Sequence, residues 1–111
     1  MARYKMVVLS RPTEGREEEY NAWYQDVHLG ELVALEGFVS ARRYRRARNL
    51  AEGDTYPYLA VYEIETDDID AVVENLTATA EQGNLTMSDA VDTATAYAVV
   101  YEAFGPVVSG R

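Results

Sequence analysis

The chain has 111 residues, enough for one domain with a real core, and sets 10 Lys and Arg against 19 Asp and Glu for a formal charge of -9. A field of that sign repels phosphate backbones and anionic lipid, which argues against nucleic acid and membrane as partners. No cysteine is present, so a disulfide framework, a thiol nucleophile and a thiolate metal site are excluded, and a reducing cytoplasm fits.

In chain order, Tyr4 to Ser10 is a short β-branched and apolar run that ends at Arg11-Pro12, where proline stops pairing. It reads as a first strand and is far too short for a signal segment or a membrane span, so a cytoplasmic location is expected. Thr13 and Glu14 open a helical segment whose early turns carry Glu17 to Glu19, where the helix dipole favours negative charge. Its apolar stripe runs to Val27 and His28. Gly30 should break or kink the helix, leaving Glu31 to Leu35 as a further short turn before Gly37.

Phe38 to Arg46 alternates Phe38, Ser40, Arg42 and Tyr44 against Val39, Ala41, Arg43 and Arg45, a second strand whose arginines go to opposite faces and form no single basic patch. Asn49 to Asp54 is a loop. Tyr56 to Ile64 is a third strand with Tyr58, Ala60, Tyr62 and Ile64 on one side. Thr66-Asp67-Asp68 caps a second helix with Ile69, Val72, Val73 and Leu76 at helical spacing, ending near Gly83. Asn84 to Asp92 is a loop, and Thr93 to Phe104 is a long last strand.

The order β-α-β-β-α-β is that of an α+β, ferredoxin-like sandwich, a four-stranded antiparallel sheet with two helices on one face. The bare face, rich in apolar and tyrosine residues, is expected to meet a second copy in a symmetric homodimer.

The chemical options narrow quickly. One histidine and no cysteine leave carboxylates alone to hold a metal, and the acidic group Glu63 to Asp70 reads better as a helix start, so no metal site is expected. There is no Gly-x-Ser-x-Gly elbow and no phosphate-cradling glycine loop. A single imidazole leaves haem ligation open, but the tyrosines around it favour an organic ligand and no cofactor is expected.

What remains is proton transfer by His28, on the buried aromatic side of the first helix with Tyr20, Tyr24, Val27 and Glu31, and with Trp23 and Leu35 at the edge. The competing reading is a packed core histidine. Glu31 or Asp26 could orient the ring and Tyr24 could donate to a developing oxyanion. Trp23, Tyr44, Tyr58, Tyr62, Tyr97 and Tyr101 are candidate walls for a hydrophobic substrate, although most tyrosines are expected in core and interface packing.

The stretch Glu19-Tyr20-Asn21-x-Trp23-Tyr24-x-x-x-His28-Leu29-x-Glu31-Leu32, followed by Glu36-Gly37-Phe38-Val39-Ser40-Ala41-Arg42-Arg43-Tyr44, resembles the helix-to-second-strand segment of the EthD-like dimeric α/β-barrel proteins. Tyr58 to Thr66 resembles their third strand. The resemblance implies a homodimer whose sheets close into a barrel, a pocket between sheet and helices, and His28 in the active site. Its wider superfamily includes lactone isomerases, polyketide cyclases, cofactor-free oxygenases and haem enzymes, so it does not fix a reaction. Relatives usually carry proline where Gly30 stands, which implies a more flexible break after His28.

The leading expectation is therefore a cofactor-independent isomerase, lyase or cyclase acting on a hydrophobic cyclic or aromatic carbonyl compound. His28 is its acid-base, with Tyr24 as oxyanion donor. The alternatives are a cofactor-free oxygenase of an aromatic compound and a non-catalytic dimeric binder of a hydrophobic metabolite.

Overall fold

Strict alternation along the first strand decides which side of the sheet is covered. In the computed structural model, which describes residues 1–111, Met6 and Ser10 of strand β1 (Ala2–Ser10) are buried while Arg3 and Lys5 face solvent. Strand β3 (Tyr58–Thr66) lies antiparallel beside it and buries Ala60, Tyr62 and Ile64 on the same side. Strand β2 (Phe38–Arg45) pairs with the outer edge of β3 and strand β4 (Tyr97–Glu102) with the free edge of β1, giving the order β2-β3-β1-β4. All three pairings are antiparallel. This is the ferredoxin-like α+β fold expected from the sequence.

The first helical segment packs on the Met6, Tyr62 and Ile64 side. It comprises helix α1 (Glu17–Trp23), a π-helical turn (Tyr24–His28) and helix α2 (Leu29–Val33). Tyr20, Tyr24, Leu29 and Leu32 are its buried residues. Helix α3 (Ile69–Glu81) is capped by Asp68, whose carboxylate accepts from the Ala71 amide at 3.1 Å. It buries Val72 against the same core. No helix is long and apolar enough to cross a membrane.

Four expectations change. Gly30 neither breaks nor kinks the chain but lies inside α2, and the departure from α winding falls earlier, at Tyr24–His28. Tyr56 lies outside β3, and β4 begins only at Tyr97. The cause there is Asp92, whose carboxylate accepts from the Ala94 amide and the Thr95 hydroxyl and holds that stretch as a turn. In β2 a bulge between Phe38 and Ser40 resets the alternation, so Phe38 shares its face with Ala41, Arg43 and Arg45 rather than with Ser40 and Tyr44.

The opposite face carries the row Tyr44, Leu59, Leu9 and Tyr97 across all four strands, and beside it Arg42, Val61, Val7 and Val99. Nothing in the chain covers them. Beyond β4, Phe104, Val107 and Val108 are all at least 90% exposed.

Gly37, between the first helical segment and β2, has φ +91°, and a Cβ there would stand 2.7 Å from Val72 Cγ2. Gly37→Ala therefore meets both a left-handed backbone and a buried neighbour, and should cost about 2 kcal/mol or more in urea unfolding. Gly53→Ala, at φ +116° with no atom within 4 Å of where its Cβ would stand, should cost distinctly less. Equal losses in the two variants would contradict the close approach at Gly37.

Candidate functional site

His28 stands five positions after Trp23, and in an α-helix that spacing places two side chains roughly 140° apart. The π turn widens the winding. The Leu29 amide donates to the Tyr24 carbonyl, an i to i+5 bond, and brings residue 28 back over residue 23. The Trp23 and His28 rings consequently stack, with centroids 4.4 Å apart and planes 23° from parallel. Tyr24 meets the imidazole edge-on at 5.1 Å and Trp23 edge-on at 5.3 Å.

His28 Nδ1 is buried without a hydrogen-bond partner. Burial pulls the imidazole pKa down to about 4, against a smaller opposing pull from Glu31. The ring is neutral at pH 7. The Tyr62 hydroxyl is likewise buried, and its polar neighbour is the Tyr24 hydroxyl. Burial pushes Tyr24 up to about 12, and burial and the neighbouring Tyr24 push Tyr62 higher still. Both phenols stay protonated, as hydrogen-bond donors must.

The carboxylates do something other than orient the ring. Glu31 accepts from the Thr86 amide at 2.9 Å and the Thr86 hydroxyl at 2.8 Å, which holds its pKa below the usual carboxylate value. Trp23 Nε1 donates to the carbonyl of the same Thr86 at 3.0 Å. The 84–92 loop is thereby strapped against the outside of the Trp23 and His28 pair. Asp26 is exposed. Glu31 reaches His28 through space but not by a hydrogen bond.

Of the candidate walls, Trp23 and Tyr62 join His28 and Tyr24 on the helix side. Tyr58 is on that side too, at the Ser10 end of the sheet. Tyr44, Tyr97 and Tyr101 stand on the open face, opposite Leu59, Leu9 and Lys5 respectively. They do not share a site with His28 within one chain. The principal clefts also miss the imidazole. A largely apolar one of about 440 Å³ lies on the open face over Leu9, Tyr44, Tyr56 and Leu59.

A second group of residues adjoins Tyr24, in which Tyr20 and Tyr58 are expected from the sequence and Arg43, Asn21 and Glu17 are not. The Arg43 guanidinium lies 5.6, 5.0 and 5.3 Å from the ring centroids of Tyr20, Tyr24 and Tyr58, and donates to Asn21 Oδ1 at 2.6 Å. Asn21 Nδ2 donates to the Tyr58 hydroxyl at 3.1 Å, and Tyr58 donates to the Glu17 carboxylate. Ser10 and Tyr20 share a buried 2.5 Å hydrogen bond beneath them. The available signal was the i, i+4 pair Asn21 and Gln25 facing arginine on β2. It required the bulge at Phe38 to be known.

The chain matches no family model and no curated protein. Among solved structures it is similar to a protein of Shewanella loihica PV-4 described as a putative monooxygenase, with a TM-score of 0.60 and 12% identity over 96% of this chain and 99% of that one. At that identity the likeness shows the fold alone.

A histidine whose pKa is depressed from 6.5 to about 4 makes stability fall as pH drops. The unfolded chain takes up its proton near 6.5, the folded chain only near 4, so folding loses on the order of 2 to 3 kcal/mol across that window. Urea unfolding at pH 7 and pH 4 should show this loss reduced in His28→Gln. An unchanged acid dependence in the variant would contradict the burial of the imidazole.

Proposed function

We propose that this chain is a cofactor-independent enzyme that moves a proton on a hydrophobic cyclic or aromatic carbonyl compound bound on the helix side of the sheet, as an isomerase, lyase or cyclase does. The observation that supports it best is the buried, partnerless His28 Nδ1 beside Tyr24, with the buried Tyr62 hydroxyl next to the same tyrosine. A packed interior does not leave such an acceptor unsatisfied without cost, and the acidic hydrogen of a substrate would satisfy it while the phenols take its oxygen.

In this reading His28 is the base. With its pKa near 4 it is in the free-base form throughout the neutral range, and its weak basicity is comparable to that of a carboxylate base working on carbon acids. Tyr24 and Tyr62 donate to the oxygen on which charge develops. The Trp23 stack fixes the imidazole, the part first expected of Glu31 or Asp26. Entry requires the Thr86 strap to open, which the Glu31 and Trp23 bonds oppose.

A second reading is a cofactor-free oxygenase, favoured by the description of the Shewanella loihica neighbour. The same deprotonation would come first, and the resulting anion would react with oxygen instead of regaining a proton. We further propose a homodimer formed through the open face, since the row of Tyr44, Leu59, Leu9 and Tyr97 has no cover in one chain.

Turnover of a panel of cyclic enones, lactones and anthrones, followed together with oxygen uptake, separates the two readings. For whichever substrate reacts, kcat/KM should fall on the acid side with a midpoint near 4 rather than 6.5, and His28→Ala should lower kcat roughly 100-fold or more. Activity within a few-fold of wild type in His28→Ala would contradict the role given to the imidazole. Leu59→Glu should halve the mass seen by light scattering, and a monomeric wild-type chain would contradict the dimer.

A further inference from the structure

Apart from the terminal Arg111, the basic residues of this acidic chain divide into two groups. Arg3, Lys5, Arg11 and Arg16 each pair with a carboxylate: Glu65, Glu63, Asp54, and both Glu19 and Asp89. The arginines of and just after β2, Arg42, Arg43, Arg45, Arg46 and Arg48, enter no ion pair, although 19 carboxylates are available. Alternation separates them only in part. Arg43 and Arg45 are two residues apart on the helix side and line one cleft of about 260 Å³ with Asn21, Gln25, Tyr44 and Tyr58.

The lining side chains are therefore two guanidinium groups, two amides and the Tyr58 phenol, with no carboxylate among them. Tyr44 bounds the cleft from between the two arginines while its ring stands on the open face. Glu17, which does not line the cleft, accepts from the Tyr58 hydroxyl at its edge, so its carboxylate is already engaged. Arg43 is held in place from three sides by the rings of Tyr20, Tyr24 and Tyr58 and by one bond to Asn21. That bond uses one of five N–H donors. A partly buried guanidinium, fixed by aromatic faces and short of acceptors, is preorganised for the planar fork of a carboxylate.

We propose that the cleft between Asn21, Gln25, Arg43, Arg45 and Tyr58 is a binding site for the carboxylate of a small aromatic acid, with Arg43 as the bidentate donor and the tyrosine rings as the walls of the aromatic part. It rests on the reading that the helix side of the sheet receives a small cyclic or aromatic compound. It adds that this compound is an anion, in a protein whose overall charge would repel one. Asn21 is a positioning residue that fixes the guanidinium rather than a ligand in its own right.

Isothermal titration calorimetry of the intact chain with benzoate, benzamide and inorganic phosphate tests this. Benzoate should bind at roughly millimolar affinity or better, with benzamide and phosphate each roughly tenfold weaker or more. Arg43→Gln should weaken benzoate roughly 10- to 100-fold, Arg43→Lys by an intermediate factor, and Arg48→Gln, outside the cleft, not at all.

Should Arg43→Gln fail to fold, Arg43→Lys gives the same reading, because a lysine keeps the charge and loses the fork. Benzamide or phosphate binding as well as benzoate, benzoate binding unaffected in both Arg43 variants, or no benzoate binding would each overturn the site. Turnover of a carbonyl compound alongside normal benzoate binding by Arg43→Gln would sink the anion site and leave the proton-transfer reading standing. Benzoate binding that depends on Arg43 in a protein that turns over no carbonyl compound would do the reverse.

Discussion

The rest of the structure depends on the contact between one side of the sheet and a helical segment that changes its winding once. Met6, Ala60, Tyr62 and Ile64 present a flat apolar surface, and Tyr20, Tyr24, Leu29 and Leu32 lie down on it. An uninterrupted α-helix could bury Tyr20 and Tyr24 but would turn Trp23 and His28 to different sides. The single π turn lets the tyrosines stay in the core while the indole and imidazole stack beside them. Such turns are uncommon and are found disproportionately where a protein does its work.

The electrostatics follow from that packing. Removal from water keeps the imidazole neutral and the two phenols protonated, with burial the largest cause for all three. The result is a set of neutral donors and acceptors between the π turn and β3, beside a cation held over the Tyr24 face. Proton transfer to carbon and activation of an aromatic anion toward oxygen share a first requirement, a base near a stabilised oxyanion. The fold alone does not choose between them.

Much of the architecture was legible from residue patterns, because alternation in Tyr4 to Ser10 and Tyr58 to Ile64 and the Asp68 cap are local signals with local causes. Three features were not. A π turn leaves no mark in a 3.6-residue stripe, so the residue pattern points to a break at Gly30 and hides the Trp23 and His28 stack. One bulged residue after Phe38 moved Arg43 and Arg45 to the helix side and Tyr44 to the open face. The partner of Glu31 proved to be Thr86, 55 residues away, which no spacing rule around His28 could supply.

The π turn holds the half-buried His28 neutral, with Nδ1 shielded from water. Nitrogen NMR of the imidazole through a pH titration reads this directly, since the two ring nitrogens report protonation state and tautomer separately. A single neutral tautomer is expected down to a midpoint near 4. A titration centred near 6.5, with both nitrogens averaging as they do in water, would contradict it.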